Sequence, residues 1–357
     1  MELSRCVEQE FALFDSKFRA CLPDGGGTLG SLSDYVLHQK GKRLRPLISF
    51  LIAKTCGEAS ESTYRAAVIL ELLHTASLVH DDVLDESKLR RGQRTINDIW
   101  DNKTAILFGD YVYGVCLHLI ETKEDFELLG IYSKIARELP QGELLQKDVS
   151  DSMNCNEEAY FKIIDGKTAS LFGASAYMGA KTAKGTKDYS KEAEQFGRTL
   201  GRAFQIRDDI LDLTLDTDSG KGHGNDIKEK KITLPIIFLL KELGQAEKRQ
   251  LLEFFAREDK TDAEIDRLLR RIQSTDCLNK AEQEVIRYSQ MAKQHLHSLP
   301  ENDYRKKLED LIMAKNDYSE SKQSKQSYNS SESKNSTQNN SQNKDEQNKA
   351  SIRCPSR

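Results

Sequence analysis

The chain has 357 residues, 53 of them basic and 57 acidic, which gives a net charge of −4 at pH 7. This length allows a sizeable core in one or two domains, and the near balance of charge argues against a nucleic-acid-binding protein. The seven cysteines are scattered without a CxxC pair or a zinc-binding spacing, so we expect reduced thiols in a cytoplasmic protein.

Neither a membrane span nor a secretion signal is expected. No apolar run approaches the roughly 20 residues that cross a bilayer. The first five residues include an acid, Glu2, and no apolar stretch, which predicts that no signal peptide is present.

Apolar spacing indicates a helical protein. Six prolines leave two long uninterrupted segments, one between Pro46 and Pro140 and one between Pro140 and Pro235. Apolar residues recur at intervals of three and four, as in Leu70 and Leu73, and an alternating strand pattern is absent. The sequence therefore predicts an all-α fold made of long helices.

The first motif with chemical content is the basic segment GKRLRP at positions 41–46, which precedes a predicted helix. Arginine side chains match phosphate oxygens in a bidentate way, and lysine adds a point charge. On its own, such a segment is usually a solvated surface or a nucleic-acid patch. If an acidic metal site lies nearby, as the two motifs described next indicate, the segment instead predicts a pocket that binds a diphosphate without metal.

An acidic pentad follows, with carboxylates at Asp81, Asp82 and Asp85. On a helix, residues i and i+4 lie on one face, so Asp81 sits over Asp85. A single pair of this kind usually belongs to a solvated helix face. Here the preceding residues, from Leu72 to Val79, are largely apolar, which is unlike a solvated face.

The same pattern recurs at Asp208, Asp209 and Asp212, again after an apolar stretch. Two such helices facing each other would hold six carboxylates around one cavity. This concentration of negative charge is hard to maintain without cations, and oxygen ligands favour Mg²⁺ when a phosphate completes the shell. The repeated pentad therefore predicts a metal–diphosphate enzyme.

A cationic segment follows each pentad. Arg90 and Arg91 come just over one helical turn after the first. Glycines and Lys221 follow the second, at positions 220–224, and their composition is typical of a mobile loop that closes over a phosphate. This loop is not a P-loop, because it lacks the GxxxxGK[ST] pattern and no strand precedes it.

A further motif lies between the pentads. Gly166, Lys167 and Thr168 interrupt an apolar helical stretch, where a glycine costs about 1 kcal/mol and invites a kink that frees a backbone carbonyl. Gln205 lies on the same helix face as Asp208. Carbonyl and amide oxygens suit the stabilisation of a carbocation because they offer negative dipoles. Gln205 alone is equally consistent with a hydrogen-bonded polar residue of the core.

The end of the chain differs in composition. Between positions 319 and 351 the only apolar residues are Tyr328 and Ala350. Such a segment cannot bury enough apolar surface to offset the entropy of ordering. We expect one helical domain over residues 1–318 and a disordered polar tail over residues 319–357.

The chain resembles the trans-prenyltransferases, the (E)-polyprenyl diphosphate synthases, in five segments that occur in the family's order: GKRLRP, HTASLVHDDVLDESKLRRGQRTIN, GKTAS, FQIRDDILD and GKGHGNDIKEKKITLP. The resemblance runs from Gly41 to Pro235. It implies an all-α bundle of long, mostly antiparallel helices around a central cavity, of the isoprenoid synthase type, which usually forms a homodimer.

The resemblance also implies a reaction, in which an allylic diphosphate condenses with isopentenyl diphosphate to give a trans-polyprenyl diphosphate. Contact with a membrane is then at most peripheral, for product release. About three Mg²⁺ ions per active site are implied, with the ligands Asp81, Asp82, Asp85, Asp208, Asp209 and Asp212. The implied substrate contacts are Arg90, Lys167 and Lys221 for the allylic diphosphate, Lys42, Arg45, His74 and Arg91 for isopentenyl diphosphate, and Thr168 and Gln205 for the allylic carbon.

One position departs from the family pattern EGKxTLP, because Lys230 stands where the family has glycine. This difference bears on the backbone of the segment and not on the reaction. Three other functions stay open: a short-chain farnesyl or geranylgeranyl diphosphate synthase, a terpene cyclase, and a non-catalytic partner subunit. The intact second pentad and the GKRLRP segment argue against a cyclase, and the retention of both pentads argues against a non-catalytic subunit.

Product length is predicted from the residues before the first pentad. Ala76 and Ser77 lie roughly 6–8 Å below Asp81 along a helix, where short-chain family members tend to carry a bulky aromatic residue. These small residues predict an open tunnel and a hexaprenyl to decaprenyl product, although they are also consistent with close helix packing. The candidates for the residues that close this tunnel farther from Asp81 are Leu128, Leu129 and Tyr132.

Overall fold

The computed structural model describes residues 5–23, 25–39, 41–90, 92–120, 125–215 and 223–313. Helices dominate this part of the chain. Its β-structure consists of one antiparallel pair, β1 (Leu89–Arg90) and β2 (Gln93–Arg94), and one bridge between Glu58 and Lys184. The all-α prediction is confirmed. The predicted tail, residues 319–357, lies outside the described residues.

A 3₁₀ turn (Arg5–Val7) precedes the first helix. The helices of the first half are α1 (Glu8–Ala20), α2 (Gly27–His38), α3 (Leu44–Cys56), α4 (Glu61–Leu84), α5 (Ile96–Ile99), α6 (Asn102–His118) and α7 (Phe126–Ser152). The helices of the second half are α8 (Glu157–Ile164), α9 (Ser170–Thr182), α10 (Ser190–Asp212), α11 (Asn225–Lys228), α12 (Leu234–Glu242), α13 (Gln245–Ala256), α14 (Asp262–Gln273), α15 (Cys277–Leu296) and α16 (Asp303–Met313). In the described part of the chain, every helix is too short or too polar to traverse a bilayer.

The acidic pentads occupy the C-terminal ends of two long helices, α4 and α10. A capping box starts α4: the Ser60 side chain accepts the Thr63 N–H, and the Thr63 hydroxyl accepts the Ser60 N–H. The helix ends at Leu84, one residue before Asp85, and α10 ends at Asp212. The carbonyl end of a helix carries a partial negative charge, so both helix ends add to the local attraction for cations.

Two apolar clusters hold α10 in place. Phe196 and Leu200 of its N-terminal half are buried with Phe50 of α3. Ile206 and Ile210 of its C-terminal half are buried in a second cluster, with residues of α12 to α15. Because both halves are buried in apolar clusters, the position of the second pentad is set by the core.

A π-turn (Asp165–Ala169) joins α8 to α9 and packs closely against α10. A Cβ on Gly201 would lie 2.7 Å from the Cα of Ala169, so only glycine allows the two backbones to approach this closely. The kink that Gly166 predicts is therefore present in the form of a π-turn, which is typical of functional sites.

Candidate active site

A cavity of about 550 Å³ lies among α4, α7, the π-turn, α10 and the segment before α3. A smaller space of about 240 Å³ adjoins it and shares part of its wall. The predicted site residues on the wall of the larger cavity are Lys42, Arg45, His74, Ser77, Asp81, Arg90, Lys167, Thr168, Gln205 and Asp208. Two predicted residues, Arg91 and Lys221, lie outside the described residues.

Carboxylates from both pentads reach this site. Asp81 and Asp208 line the larger cavity, and Asp85 lines the smaller one. Burial, and secondly the neighbouring charge of Glu143 on α7, raises the pKa of Asp81 to about 7. A carboxyl that ionises reluctantly in this way is stabilised in its charged form when a cation binds.

The donor set fits Mg²⁺. Among the described residues, no three acidic, histidine or cysteine side chains converge on one point as in a preformed metal cage. Mg²⁺ seldom needs such a cage, because it commonly binds one or two carboxylates and completes its octahedral shell with water and substrate phosphates. Asp81, Asp85 and Asp208 provide carboxylates of this kind on the cavity walls.

The middle aspartate of each pentad has a protein partner. Asp82 is buried, and its Oδ1 accepts a hydrogen bond of 2.6 Å from Nε of Arg90. Asp209 is also buried, and its two carboxylate oxygens accept hydrogen bonds from the Tyr160 hydroxyl at 2.6 Å and from the Gln205 amide at 2.8 Å. On a helix, residue i+1 points about 100° away from residue i. Asp82 is accordingly absent from the walls of both cavities, whereas Asp209 still lines the smaller one.

Asp212 faces the segment that follows its helix. Its carboxylate accepts the backbone N–H of Asn225 at 3.1 Å and that of Asp226 at 3.0 Å, and its carbonyl accepts the Gly224 N–H at 2.9 Å. These bonds hold the start of α11 against the end of α10.

The basic segment before α3 meets α4 at the cavity. Arg43 adopts a left-handed backbone conformation, with φ of 47°. Its Nη1 lies 3.1 Å from Oε1 of the buried Glu71, and its guanidinium lies over the Phe18 ring at 4.3 Å. Lys42, Arg45 and His74 share the cavity wall with this ion pair, so the structure brings the three predicted residues together.

The residues of the π-turn also meet their predicted neighbours. The Thr168 hydroxyl lies 2.6 Å from Oε1 of Gln205 and donates to it. Nζ of Lys167 contacts Oε1 of Glu143 at 2.5 Å and Oε1 of Gln146 at 2.9 Å.

Five residues of the site were not predicted from the sequence: Glu143, Gln146, Tyr160, Asp226 and Lys231. Burial, and secondly Asp209, raises the pKa of Asp226 well above its ordinary value, and Nζ of Lys231 lies 3.4 Å from Asp85. Asp226 and Lys231 lie within the GKGHGNDIKEKKITLP segment that resembles the family, which was a signal for these two residues. For Glu143 and Gln146 the signal was their i, i+3 spacing, which is common on solvated helices.

Lys230, which stands where the family has glycine, keeps the backbone conformation that a glycine favours. Lys230 adopts a left-handed conformation with φ of 58°, which is the region that favours the glycine of the family pattern. Its side chain pairs with Glu258, and its carbonyl accepts the Ser150 hydroxyl at 3.3 Å. The segment therefore keeps the backbone geometry that glycine favours, although a lysine occupies the position.

The residues predicted to govern product length occupy different environments. Ser77 lines the larger cavity, whereas Ala76 is fully buried in the core and is not part of the cavity wall. Leu128 and Tyr132 are buried away from the wall, and Leu129 is 41% exposed. Tyr113 of α6 lines the cavity instead.

The sequence pattern of the polyprenyl synthetase family matches residues 27–272. An all-trans-nonaprenyl-diphosphate synthase (geranyl-diphosphate specific) from Rhodobacter capsulatus is 36% identical over 307 residues, which cover 85% of this chain and 94% of that protein.

Solved structures give the same result. A decaprenyl diphosphate synthase from Rhodobacter capsulatus matches with a TM-score of 0.82 and 28% identity, over 88% of this chain and 97% of that one. A polyprenyl synthase from Caulobacter crescentus CB15, complexed with calcium and isoprenyl diphosphate, matches with a TM-score of 0.79 and 31% identity, over 87% and 95% of the two chains. Because sequence pattern, fold and relatives all agree, the chain belongs to the polyprenyl synthetase family of chain-elongating trans-prenyltransferases.

Proposed function

We propose that the protein condenses an allylic diphosphate with isopentenyl diphosphate and repeats this step to give a medium- to long-chain trans-polyprenyl diphosphate. The observation that carries the proposal is that both acidic pentads and the basic segment before α3 border one cavity. Two diphosphate substrates need two binding arrangements. The acidic wall suits a metal-bound diphosphate, and the basic wall suits a diphosphate bound without metal.

Asp81 of α4, Asp85 directly after this helix and Asp208 of α10 would hold Mg²⁺, with about three ions per active site. Bound Mg²⁺ neutralises the leaving diphosphate and so favours ionisation of the allylic C–O bond. Asp82 and Asp209 would act through their partners, Arg90 and Gln205. Asp212 would join the metal site when its carboxylate exchanges the N–H groups of α11 for a cation.

Lys167 and Arg90 would bind the allylic diphosphate beside the metal site. In the structure Lys167 is paired with Glu143, and a diphosphate would compete for this cation because it carries more charge than one carboxylate. Lys42, Arg45 and His74, which share the cavity wall, would bind isopentenyl diphosphate. The planar guanidinium of an arginine can donate two hydrogen bonds to a pair of phosphate oxygens.

The Thr168 and Gln205 oxygens would face the allylic cation. The allylic C–O bond breaks, and the double bond of isopentenyl diphosphate attacks the cation to form a carbon–carbon bond. A proton then leaves to the released diphosphate. Oxygen dipoles stabilise the positive charge without forming a bond to it, and water must be excluded because it would quench the cation.

Product length would be set on the wall of the larger cavity. The small Ser77 leaves the α4 side open, which favours a long product. Tyr113 of α6 also lines the cavity, and its ring packs on His80 of α4 at a centroid distance of 5.6 Å. The hydroxyl of Tyr132 donates a hydrogen bond of 3.1 Å to the backbone carbonyl of Tyr113, which restrains the backbone at that position. We assign Tyr113 as the aromatic residue that a growing chain meets.

The exposed face of α6 would form a homodimer interface. This helix carries Ile106, Leu107 and Leu117 at exposures of 43%, 69% and 49%, on one side of the helix. Light scattering should report a dimer that Leu107→Glu weakens. Ile286→Glu on α15, where the isoleucine is 38% exposed, serves as the matched control and should leave the dimer intact.

The function is tested by incubating the purified protein alone with Mg²⁺, farnesyl diphosphate and labelled isopentenyl diphosphate. We expect labelled all-trans products longer than geranylgeranyl diphosphate, resolved by chromatography after removal of the diphosphate. Cyclic hydrocarbons in place of chain-elongated products would identify a cyclase. If the purified protein alone forms no product and elongation appears only after a second protein is added, this chain is a partner subunit. Farnesyl diphosphate left unextended under excess isopentenyl diphosphate would rule out a medium- to long-chain product and would agree with a farnesyl diphosphate synthase.

A further inference from the structure

An ion pair ties the start of the π-turn to α10. Nε and Nη2 of Arg202 each lie 2.5 Å from one carboxylate oxygen of Asp165, which is a bidentate arrangement. Both side chains are about one-third exposed. The guanidinium also lies over the ring of the buried Tyr288, 5.5 Å from its centroid, so α15 supports Arg202 from the other side.

The π-turn is held between two helices by contacts that leave little space. A Cβ on Gly166 would lie 2.8 Å from the carbonyl oxygen of Glu138 and 3.0 Å from the Cα of Gly142, both on α7. A Cβ on Gly142 would meet Lys167 at 3.0–3.1 Å. A small shift of the turn would therefore force Lys167 away from its present position, because the backbones on both sides are already in contact.

The two connections between the π-turn and α10 have the same spacing. Asp165 pairs with Arg202, and three residues later Thr168 bonds to Gln205, itself three residues after Arg202. Lys167 lies between these two connections. Neither Asp165 nor Arg202 lines the wall of the cavity.

We infer that Asp165 and Arg202 are positioning residues, whose bidentate ion pair fixes the π-turn so that Lys167 and Thr168 meet the allylic diphosphate and its reacting carbon. This inference rests on the proposed function, and it adds a specific role for two residues that touch no substrate. A single bidentate pair restrains both the distance and the rotation of the turn, which one lysine cannot do.

The experiment compares the full-length enzyme with Arg202→Met, Asp165→Asn, the double variant and Arg202→Lys. The kinetic constants are measured separately for farnesyl diphosphate and isopentenyl diphosphate at saturating Mg²⁺. Arg202→Met should lower kcat/KM for farnesyl diphosphate roughly 10- to 100-fold, because misplacement of about 1 Å has effects of this size. The KM for isopentenyl diphosphate should stay within about twofold, since its site is on another wall.

Three further comparisons separate positioning from simple loss of folding. The fraction of farnesyl diphosphate hydrolysed rather than extended should rise in Arg202→Met, and Arg202→Lys should restore part of the activity. The double variant should be no worse than the worse single variant, because both changes remove one interaction. Lys134→Met, which breaks an ion pair of 2.8 Å with Glu194 on the same helix α10, is the matched control and should retain wild-type kinetics.

The possible results are distinct. If the unsubstituted enzyme makes no chain-elongated product, the proposed function fails. If it is active and Arg202→Met shows wild-type constants, the positioning role is wrong. Equal losses for both substrates that follow the folded fraction, with no change in hydrolysis, would also overturn it. If Arg202→Met does not fold, Asp165→Asn and Arg202→Lys carry the same test.

Discussion

The hydroxyl of Tyr160 on α8 lies 2.6 Å from Oδ2 of Asp209 on α10 and donates a hydrogen bond to it. The second oxygen of Asp209 accepts from Gln205, and Gln205 in turn accepts from Thr168. The buried middle aspartate of the second pentad thus orients the amide whose oxygen meets Thr168. A residue on α8 thereby contributes to the geometry of the cavity without lining the larger cavity itself.

Tyr160→Phe should destabilise the protein and impair catalysis. The change leaves one oxygen of the buried Asp209 without its donor, which costs roughly 1–3 kcal/mol. Urea unfolding should report this loss, and kcat should fall because Gln205 is less well oriented. Tyr64→Phe on α4, where the ring packs on Phe50 at 5.4 Å, is the control. Equal unfolding free energies for Tyr160→Phe and the unsubstituted protein would contradict the role of this bond.

Asp81→Ala and Asp208→Ala should each abolish most activity. Losing about 4 kcal/mol of charge stabilisation in the transition state slows a reaction about a thousandfold. Steady-state assays should show this loss, and chelation of Mg²⁺ should have the same effect on the unsubstituted enzyme until the ion is restored. Asp262→Ala removes an exposed carboxylate of α14 and should leave the rate unchanged. Near-normal rates in both pentad variants would refute the metal site.

Ser77→Phe should shorten the product toward farnesyl or geranylgeranyl diphosphate, because a phenyl ring would project from the cavity wall. Tyr113→Ala should lengthen it for the opposite reason. Chromatography of the products reports both changes. Ala76→Tyr should instead lower the thermal stability, since Ala76 is fully buried and overpacking a core costs about 1–3 kcal/mol. If Ser77→Phe gives the unsubstituted product distribution, Ser77 does not control length.

The metal-free protein should lose stability as the pH rises. Burial and Glu143 raise the pKa of Asp81 to about 7 in the folded state, whereas an unfolded aspartate has a pKa of about 3.9. Between about pH 4 and pH 7 the folded state therefore binds more protons than the unfolded state. The contribution of Asp81 to the free energy of unfolding is fully present below pH 4 and is lost as the pH rises through 7. Asp209, with a pKa also raised to about 7 by burial, acts in the same direction.

Urea unfolding in a chelator at pH 5.5, 6.5 and 7.5 measures this dependence. Asp81→Asn should flatten the decrease, because the amide does not titrate. Added Mg²⁺ and pyrophosphate should offset the loss at pH 7.5 by binding the charged carboxylates of the folded state. Parallel curves for Asp81→Asn and the unsubstituted protein would show that Asp81 has an ordinary pKa.

Deletion of residues 319–357 should leave the melting temperature and kcat nearly unchanged. The prediction comes from composition, since a segment with so few apolar residues has little to bury. Calorimetry and the elongation assay check it on the truncated chain. A large fall in either quantity would show that the tail docks on the helical domain.

Patterns within a single helix were predictable from the sequence. The i, i+4 spacing of the outer aspartates and the proximity of Gln205 to Asp208 depend on helical periodicity, and the kink at Gly166 depends on the low helix propensity of glycine. Both are local properties. The tail's composition and the apolar spacing are local in the same sense. These features can be predicted without knowing which distant residues contact them in the folded protein.

Contacts between distant segments were decided only by the tertiary structure. Asp82 and Asp209 have the same place in their pentads, yet one pairs with Arg90 and the other with Tyr160. Lys231 reaches Asp85 from 146 positions away. Helical periodicity orients a side chain about its own axis, but the packing of the apolar faces determines which helix lies opposite. That packing depends on the whole core, and no local spacing in the sequence encodes it.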